Sequence, residues 1–297
     1  MIKGTEYIQR FEGKIDSAKD MNITDLPKVL SGPQYPSYPQ PYYDTNYPWR
    51  VVGRIICLIL GGEDNHVVER KMGTATLVGR NFIVTAHHVL PWDNIYAGNT
   101  IILFEPAYSH GKALAESVVT EIAAVELFEP LYGYDYVICK LNTPLGDELG
   151  FMGAAHWNNF ADDEEFTVLG YPDIVDKQSE QPCITYPTSV KFKMSYYPLS
   201  MLLYTNAITS PGSSGGPLVG FLDGNPYVVG ISSLYFPPPY FVDSFSSIFI
   251  SGDYLFYLIR WGRIKWDGDE GCTGAELPFI GCVPWNPPVI IPVKQIT

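Results

Sequence analysis

The sequence predicts an all-β protein of barrel architecture, and three observations carry that prediction. Apolar runs are short and fall at residues 51–60, 100–104, 165–169, 201–208 and 227–232. Gly, Pro and Asn turns separate them, as between the strands of hairpins and meanders. That rhythm favours antiparallel strands over an alternation of strands and helices. A chain of 297 residues is long enough to bury a full core.

Taken in chain order, the first 47 residues stand apart. Residues 5–19 can form an amphipathic helix, weakened by Gly13. Residues 31–48 are rich in Pro and Tyr and read as extended and polyproline-like. A pro-segment or a ligand for an SH3- or WW-type module is one reading; an arm laid across the barrel surface is the preferred one. Gly73 to Gly79 then forms a half-buried strand, Arg80-Asn81 a turn, and Phe82-Ile83-Val84 the returning strand. The return leads into Thr85-Ala86-His87-His88-Val89-Leu90. In Tyr134-Asp135-Tyr136-Val137-Ile138-Cys139-Lys140-Leu141 a single carboxylate heads an apolar strand. Residues 267–297 carry Cys272, Cys282 and several prolines, and no readable motif.

Composition excludes several functions. With 32 acidic against 19 basic residues the net charge is −13, which argues against a nucleic-acid or anionic-membrane partner. The best apolar run, residues 55–60, is far too short to span a bilayer. The N-terminus has no apolar core of a secretory signal, so compartment stays open, as does oligomeric state. Five cysteines leave at least one unpaired; Cys57 and Cys139 read as buried strand thiols, while Cys272 and Cys282 can pair. Asp162-Asp163-Glu164-Glu165 reads as a solvated turn. No H-E-x-x-H, C-x-x-C or EF-hand loop occurs, so neither metal nor cofactor is expected.

The chemistry concentrates in Thr209-Ser210-Pro211-Gly212-Ser213-Ser214-Gly215-Gly216-Pro217-Leu218. Gly212, lacking Cβ, lets its peptide turn its N–H toward a developing oxyanion, and the N–H of Ser214 supplies a second donor. The bland alternative is a Gly/Ser-rich turn. The same residues fit G-x-S-x-G, the α/β-hydrolase elbow, whose histidine follows the serine in the chain. Here His66, His87, His88, His110 and His156 all precede Ser214, which removes that reading. The order His, Asp, Ser remains. A buried Asp135 needs a partner, and a histidine N–H suits it. The rival, Asp93, follows His88 too closely for an intervening strand and sits among turn formers.

These segments resemble the trypsin superfamily. Thr85-Ala86-His87-His88 is similar to its histidine segment, in a register that selects His88 over His87. Asp135 followed by an apolar run and Lys140-Leu141 is similar to its aspartate segment. Residues 144–173, with Trp157 and Gly170-Tyr171-Pro172, resemble the inter-barrel chain of the glutamyl endopeptidase (V8-like) branch. Residues 225–231 and 247–250 resemble the strands after the nucleophile there and in HtrA-like proteases. The resemblance runs from about residue 48 to 262.

It implies two six-stranded antiparallel barrels, at 48–150 and 151–262, with the boundary near Gly150. A terminal helix follows with Ser251 as its N-cap, and residues 263–297 form an extension. It further implies a serine endopeptidase acting on protein or peptide substrates, with His88, Asp135 and Ser214 as the triad and the N–H groups of Gly212 and Ser214 as the oxyanion hole. The alternative is a catalytically silent protease fold serving as a binding module. Ser213 stands where trypsin-type zymogens carry the aspartate that pairs with a new N-terminal amine, so no such dependence is expected. The primary pocket is expected between Ile208, Thr209 and Ser210 on one wall and Ser232, Ser233, Leu234 and Tyr235 on the other. Glutamyl endopeptidases have a histidine where Ser232 stands, so a pocket for small or medium uncharged side chains is expected.

Overall fold

Two sheets, antiparallel except for one two-residue parallel pairing and meeting in the chain around residue 150, make up most of the computed structural model. It describes residues 39–62, 64–125, 133–161, 164–173, 181–195, 200–235, 247–268 and 288–294. The helix expected at 5–19, the acidic residues 162–163, and Cys272 and Cys282 lie outside them.

The described part of the N-terminal arm contributes β1 (Gln40–Pro41). The first sheet then begins with β2 (Val52–Gly61), β3 (His66–Leu77) and β4 (Phe82–Thr85). A short α1 (Trp92–Ala97) precedes β5 (Thr100–Pro106), β6 (Ser117–Ala124) and β7 (Val137–Leu141). The strand path β6-β5-β2-β3-β4-β7 returns to β6 through a β6–β7 pairing, which closes a six-stranded barrel. Closure leaves the six strands no long open edge.

After α2 (Gly146–Leu149) and β8 (Gly153–Ala154) comes the second sheet. It contains β9 (Phe166–Gly170), β10 (Cys183–Thr188), β11 (Val190–Ser195) and β12 (Met201–Thr205). It continues through β13 (Pro217–Leu222), β14 (Asn225–Tyr235) and β15 (Ser247–Ser251). With β1 on β10 and β8 on β14 it has nine strands. The all-β expectation therefore holds, and the second sheet exceeds six strands: β9 to β15 are already seven, and the arm and the inter-barrel chain add β1 and β8. Of the Pro/Tyr-rich segment, residues 39–48 are described, and there β1 pairs Gln40 with Ile184 of β10.

The helix α3 (Asp253–Gly262) follows, and its expected cap needs correction. Gly252 occupies the N-cap position at φ +110°, and the Ser251 hydroxyl instead donates to the Val229 carbonyl at 2.6 Å. A second correction concerns Asp93, which lies in the first turn of α1 rather than in a turn; Gly98 closes that helix in the left-handed conformation. The C-terminal β16 (Val289–Pro292) was not foreseen. It pairs with residues 121–124 of β6, along strand whose earlier part, 117–118, pairs with β5.

One apolar core joins both sheets, with Val84, Ile138, Ile231, Ile250 and Leu255 among its members. A second, built on Trp157, Phe166, Leu203, Leu218 and Phe249, lies within the second sheet. Cys57 and Cys139 are buried thiols on β2 and β7, as their apolar neighbours implied. No helix among the described residues is long and apolar enough to cross a membrane.

Candidate active site

Strand pairing brings the first two candidate groups together. β4 and β7 are neighbours in register Thr85↔Val137, so the segment leaving β4 meets the segment entering β7. His88 sits three residues beyond Thr85, in a 3-10 turn, and Asp135 two residues before Val137. Asp135 Oδ1 accepts the backbone N–H of His88 at 2.9 Å, and Oδ2 lies 2.6 Å from His88 Nδ1. The Ser233 hydroxyl also donates to Oδ2. Asp135 is only 3% exposed, and burial alone would raise its pKa. The hydrogen bonds and charge of His88, with the Ser233 hydroxyl, outweigh burial and hold the carboxyl below its ordinary range.

The network also fixes the tautomer. A carboxylate only accepts, so Nδ1 of His88 carries the proton and Nε2 presents its lone pair. Ser214 Oγ lies 2.8 Å from that Nε2. The Ser214 hydroxyl therefore donates to an acceptor already polarised by a buried anion. His87 faces elsewhere: its ring stacks on Trp92 at 4.4 Å, and the Trp92 indole N–H donates to its Nδ1 at 3.1 Å.

The serine loop is clamped by the first barrel. Thr74 on β3 donates its N–H to the Ser214 carbonyl at 2.8 Å and its hydroxyl to the Gly212 carbonyl at 2.8 Å. Its Oγ1 accepts in turn from the Tyr171 N–H at 3.1 Å. The Pro211 carbonyl accepts from the Asp173 N–H at 2.9 Å. A trans peptide sends its N–H opposite to its carbonyl, so this bond sets the direction of the Gly212 N–H. Gly212 has φ +91°, which favours glycine. The N–H groups of Gly212 and Ser214 make no hydrogen bond among the described residues. Gly215 shows why the loop needs glycine: at φ +87°, an added Cβ would come 2.1 Å from the Thr74 carbonyl oxygen.

A cleft of about 480 Å³ opens beside these groups. Thr209, Ser210, Ser232, Ser233 and Leu234 line it with Gly212 and Ser214, whereas Ile208 is buried outside the lining. The Tyr235 side chain lies outside the described residues. Ser233 is a pocket wall by position, but its hydroxyl is committed to Asp135. Lys71 and Met72, from β3, also line the cleft and had no sequence signal. Ser213 is buried, and its Oγ accepts the Ser210 N–H at 3.4 Å. No cluster of three or more His, Cys, Asp or Glu side chains among the described residues is arranged to hold a metal.

Two other imidazoles, the half-buried His87 and the buried His156, predict a pH response. Burial lowers the pKa of both His87 and His156 from 6.5. As pH falls below 6.5, the unfolded chain takes up protons at these groups that the folded chain resists, so stability falls. Between pH 7 and 5 the melting temperature is expected to drop, and a His87→Gln/His156→Gln double variant to flatten that drop. An unchanged slope in the double variant would contradict the assignment.

The profile of the trypsin-like peptidase domain matches residues 73–231, more than half of the chain. No curated protein matches it significantly. Among solved structures it is similar to a Glu endopeptidase in complex with MPD, at 16% identity and TM-score 0.56 over 80% of this chain and 100% of that one. It is also similar to a thermostable serine protease, AL20, from an extremophilic microorganism, at 15% identity and TM-score 0.50 over 71% and 96% of the two chains. The protease Anisep from Arthrobacter nicotinovorans aligns at 20% identity and TM-score 0.49, over 71% of this chain and 92% of that one.

Proposed function

Because the chain belongs to the trypsin-like peptidase family, we propose that it is a serine endopeptidase working through an acyl-enzyme on Ser214. The observation that carries this reading is the unbroken relay from Asp135 through His88 to Ser214, with contacts of 2.6 and 2.8 Å.

Ser214 Oγ attacks the scissile carbonyl carbon while its proton passes to His88 Nε2. Asp135 stabilises the resulting imidazolium without taking its proton. The carbonyl oxygen, now an oxyanion, is received by the N–H groups of Gly212 and Ser214. Collapse of the tetrahedral intermediate breaks the C–N bond, and the leaving amine takes the proton from Nε2. Water then attacks the ester, giving its proton to His88, and the second collapse returns that proton to Ser214. The silent binding module is the less favoured reading, because the relay is preformed and Pro211 and Gly212 are held for an oxyanion.

Incubation of the full chain with an unfolded protein substrate is expected to yield new N-termini, and a fluorophosphonate to stop their appearance. Binding of substrate with no cleavage would favour the silent module. Thr74→Val removes the hydroxyl bridge between Tyr171 and Gly212. It is expected to lower kcat roughly tenfold to a hundredfold, less than loss of an oxyanion donor itself. An unchanged kcat would show that the bridge does not position the loop.

A further inference from the structure

The proton arrangement in the cleft assigns the chemistry of the primary pocket. Three hydroxyls decide it: Thr209, Ser232 and the deeper Ser247. Ser247 is fully buried, and its single proton goes to the Ala207 carbonyl at 2.7 Å, since a carbonyl oxygen can only accept. Ser247 Oγ also accepts the Thr209 N–H at 3.2 Å and lies 2.7 Å from Thr209 Oγ1. With its own proton spent, Ser247 must be the acceptor in that contact as well. The Thr209 hydroxyl proton therefore points inward, and Thr209 offers the cleft lone pairs only.

Ser232 complements it. It is 2% exposed and lines the same cleft, and its hydroxyl has no hydrogen-bond partner among the described residues. The hydroxyl is not sealed off but opens onto the cleft, where it can bond a ligand. Ser232 can donate as well as accept, and the Ser233 proton beside it is committed to Asp135. No cation or imidazole comes from the second-sheet walls. Lys71 enters from the first barrel, and His88 is engaged with Asp135 and Ser214.

We propose that this pocket selects a neutral carboxamide side chain, glutamine or asparagine, at the residue whose carbonyl is attacked. The amide N–H donates to Thr209 Oγ1, and the amide oxygen accepts from the Ser232 hydroxyl. A glutamate fits the same shape but sets a carboxylate against the Thr209 lone pairs, with a single neutral donor. A methionine leaves the Ser232 hydroxyl and the cleft-facing lone pairs of Thr209 Oγ1 without a partner. Sites built to hydrogen-bond a substrate group reject analogues lacking it far more strongly than apolar pockets reject a change of size. The inference rests on the endopeptidase reading and names the substrate class of that site.

Peptides differing only at this position, carrying Gln, Asn, Glu, Met or Ala, test it with the full chain. Cleavage after Gln or Asn is expected to exceed cleavage after Glu by about a hundredfold in kcat/KM. Thr209→Val should cut the Gln-to-Met ratio about tenfold. Ser247→Ala, at a residue outside the cleft lining, frees the Thr209 proton to turn outward into the cleft and should raise the Glu-to-Gln ratio by about as much. Preference for Glu or an apolar residue, or ratios that neither variant moves, would overturn the pocket assignment. Fluorophosphonate labelling of Ser214 separates the failures. Labelling with a flat peptide profile sinks the pocket alone, and absence of labelling sinks the endopeptidase reading with it.

Discussion

Ser214→Ala should abolish peptide hydrolysis, lowering kcat by about a millionfold, because nucleophile and base act as one unit. Asp135→Asn should cost about ten-thousandfold while leaving the fold intact. In the Oδ1 place the amide oxygen of that variant can still accept from the His88 backbone N–H, while the NH2 group takes the Oδ2 place and no longer accepts from the Ser233 hydroxyl. Its NH2 group would then face His88 Nδ1, forcing the proton to Nε2, where it meets the Ser214 hydroxyl instead of accepting from it. Stopped assays on a cleaved peptide, with circular dichroism to verify folding, check both variants. A loss below about tenfold in either would mean that the relay is not the engine.

The largest expected effect on stability is at Arg263, which is 1% exposed at the end of α3. Its Nε donates to the Val78 carbonyl at 2.9 Å and its Nη2 to the Met152 carbonyl at 3.0 Å. Its guanidinium carbon also lies 5.0 Å from the centre of the Phe151 ring. Val78 follows β3 and Met152 precedes β8, so one side chain ties the terminal helix to both sheets. Arg263→Met keeps much of the apolar stem but leaves both carbonyls short of these donors. The expected loss is about 4 kcal/mol in urea unfolding, from two buried acceptors at roughly 1–3 kcal/mol each with some lost packing. A loss under about 1 kcal/mol would mean that water replaces the guanidinium.

The features readable in the sequence were those encoded over a few adjacent residues. Thr85 to His88, Asp135 before its apolar strand, and the glycines around Ser214 each carry their own local pattern, and chain order linked them. Strand ends were less legible. β3 begins at His66 rather than Gly73, because residues 66–72 are exposed and show no buried face to read. The strand read as 201–208 ends at Thr205, whose hydroxyl accepts the Ala207 N–H at 3.3 Å. The tuning of the site was not legible at all. Thr74 to Gly212, Ser233 to Asp135 and Thr209 to Ser247 join residues 138, 98 and 38 positions apart. Each is a hydroxyl whose role depends on which distant strand it meets. Arg263 likewise carries no local pattern that sets it apart from the other basic residues, although the fold buries it.

The central claim is that Ser214 is a nucleophile made reactive by His88. Intact-mass measurement after exposure to a fluorophosphonate, followed by peptide mapping, tests it most directly. The expected result is a single adduct on the peptide containing Ser214, absent in Ser214→Ala and slowed by orders of magnitude in His88→Ala. An unlabelled folded chain, or labelling of Ser214 at the same rate without His88, would contradict it.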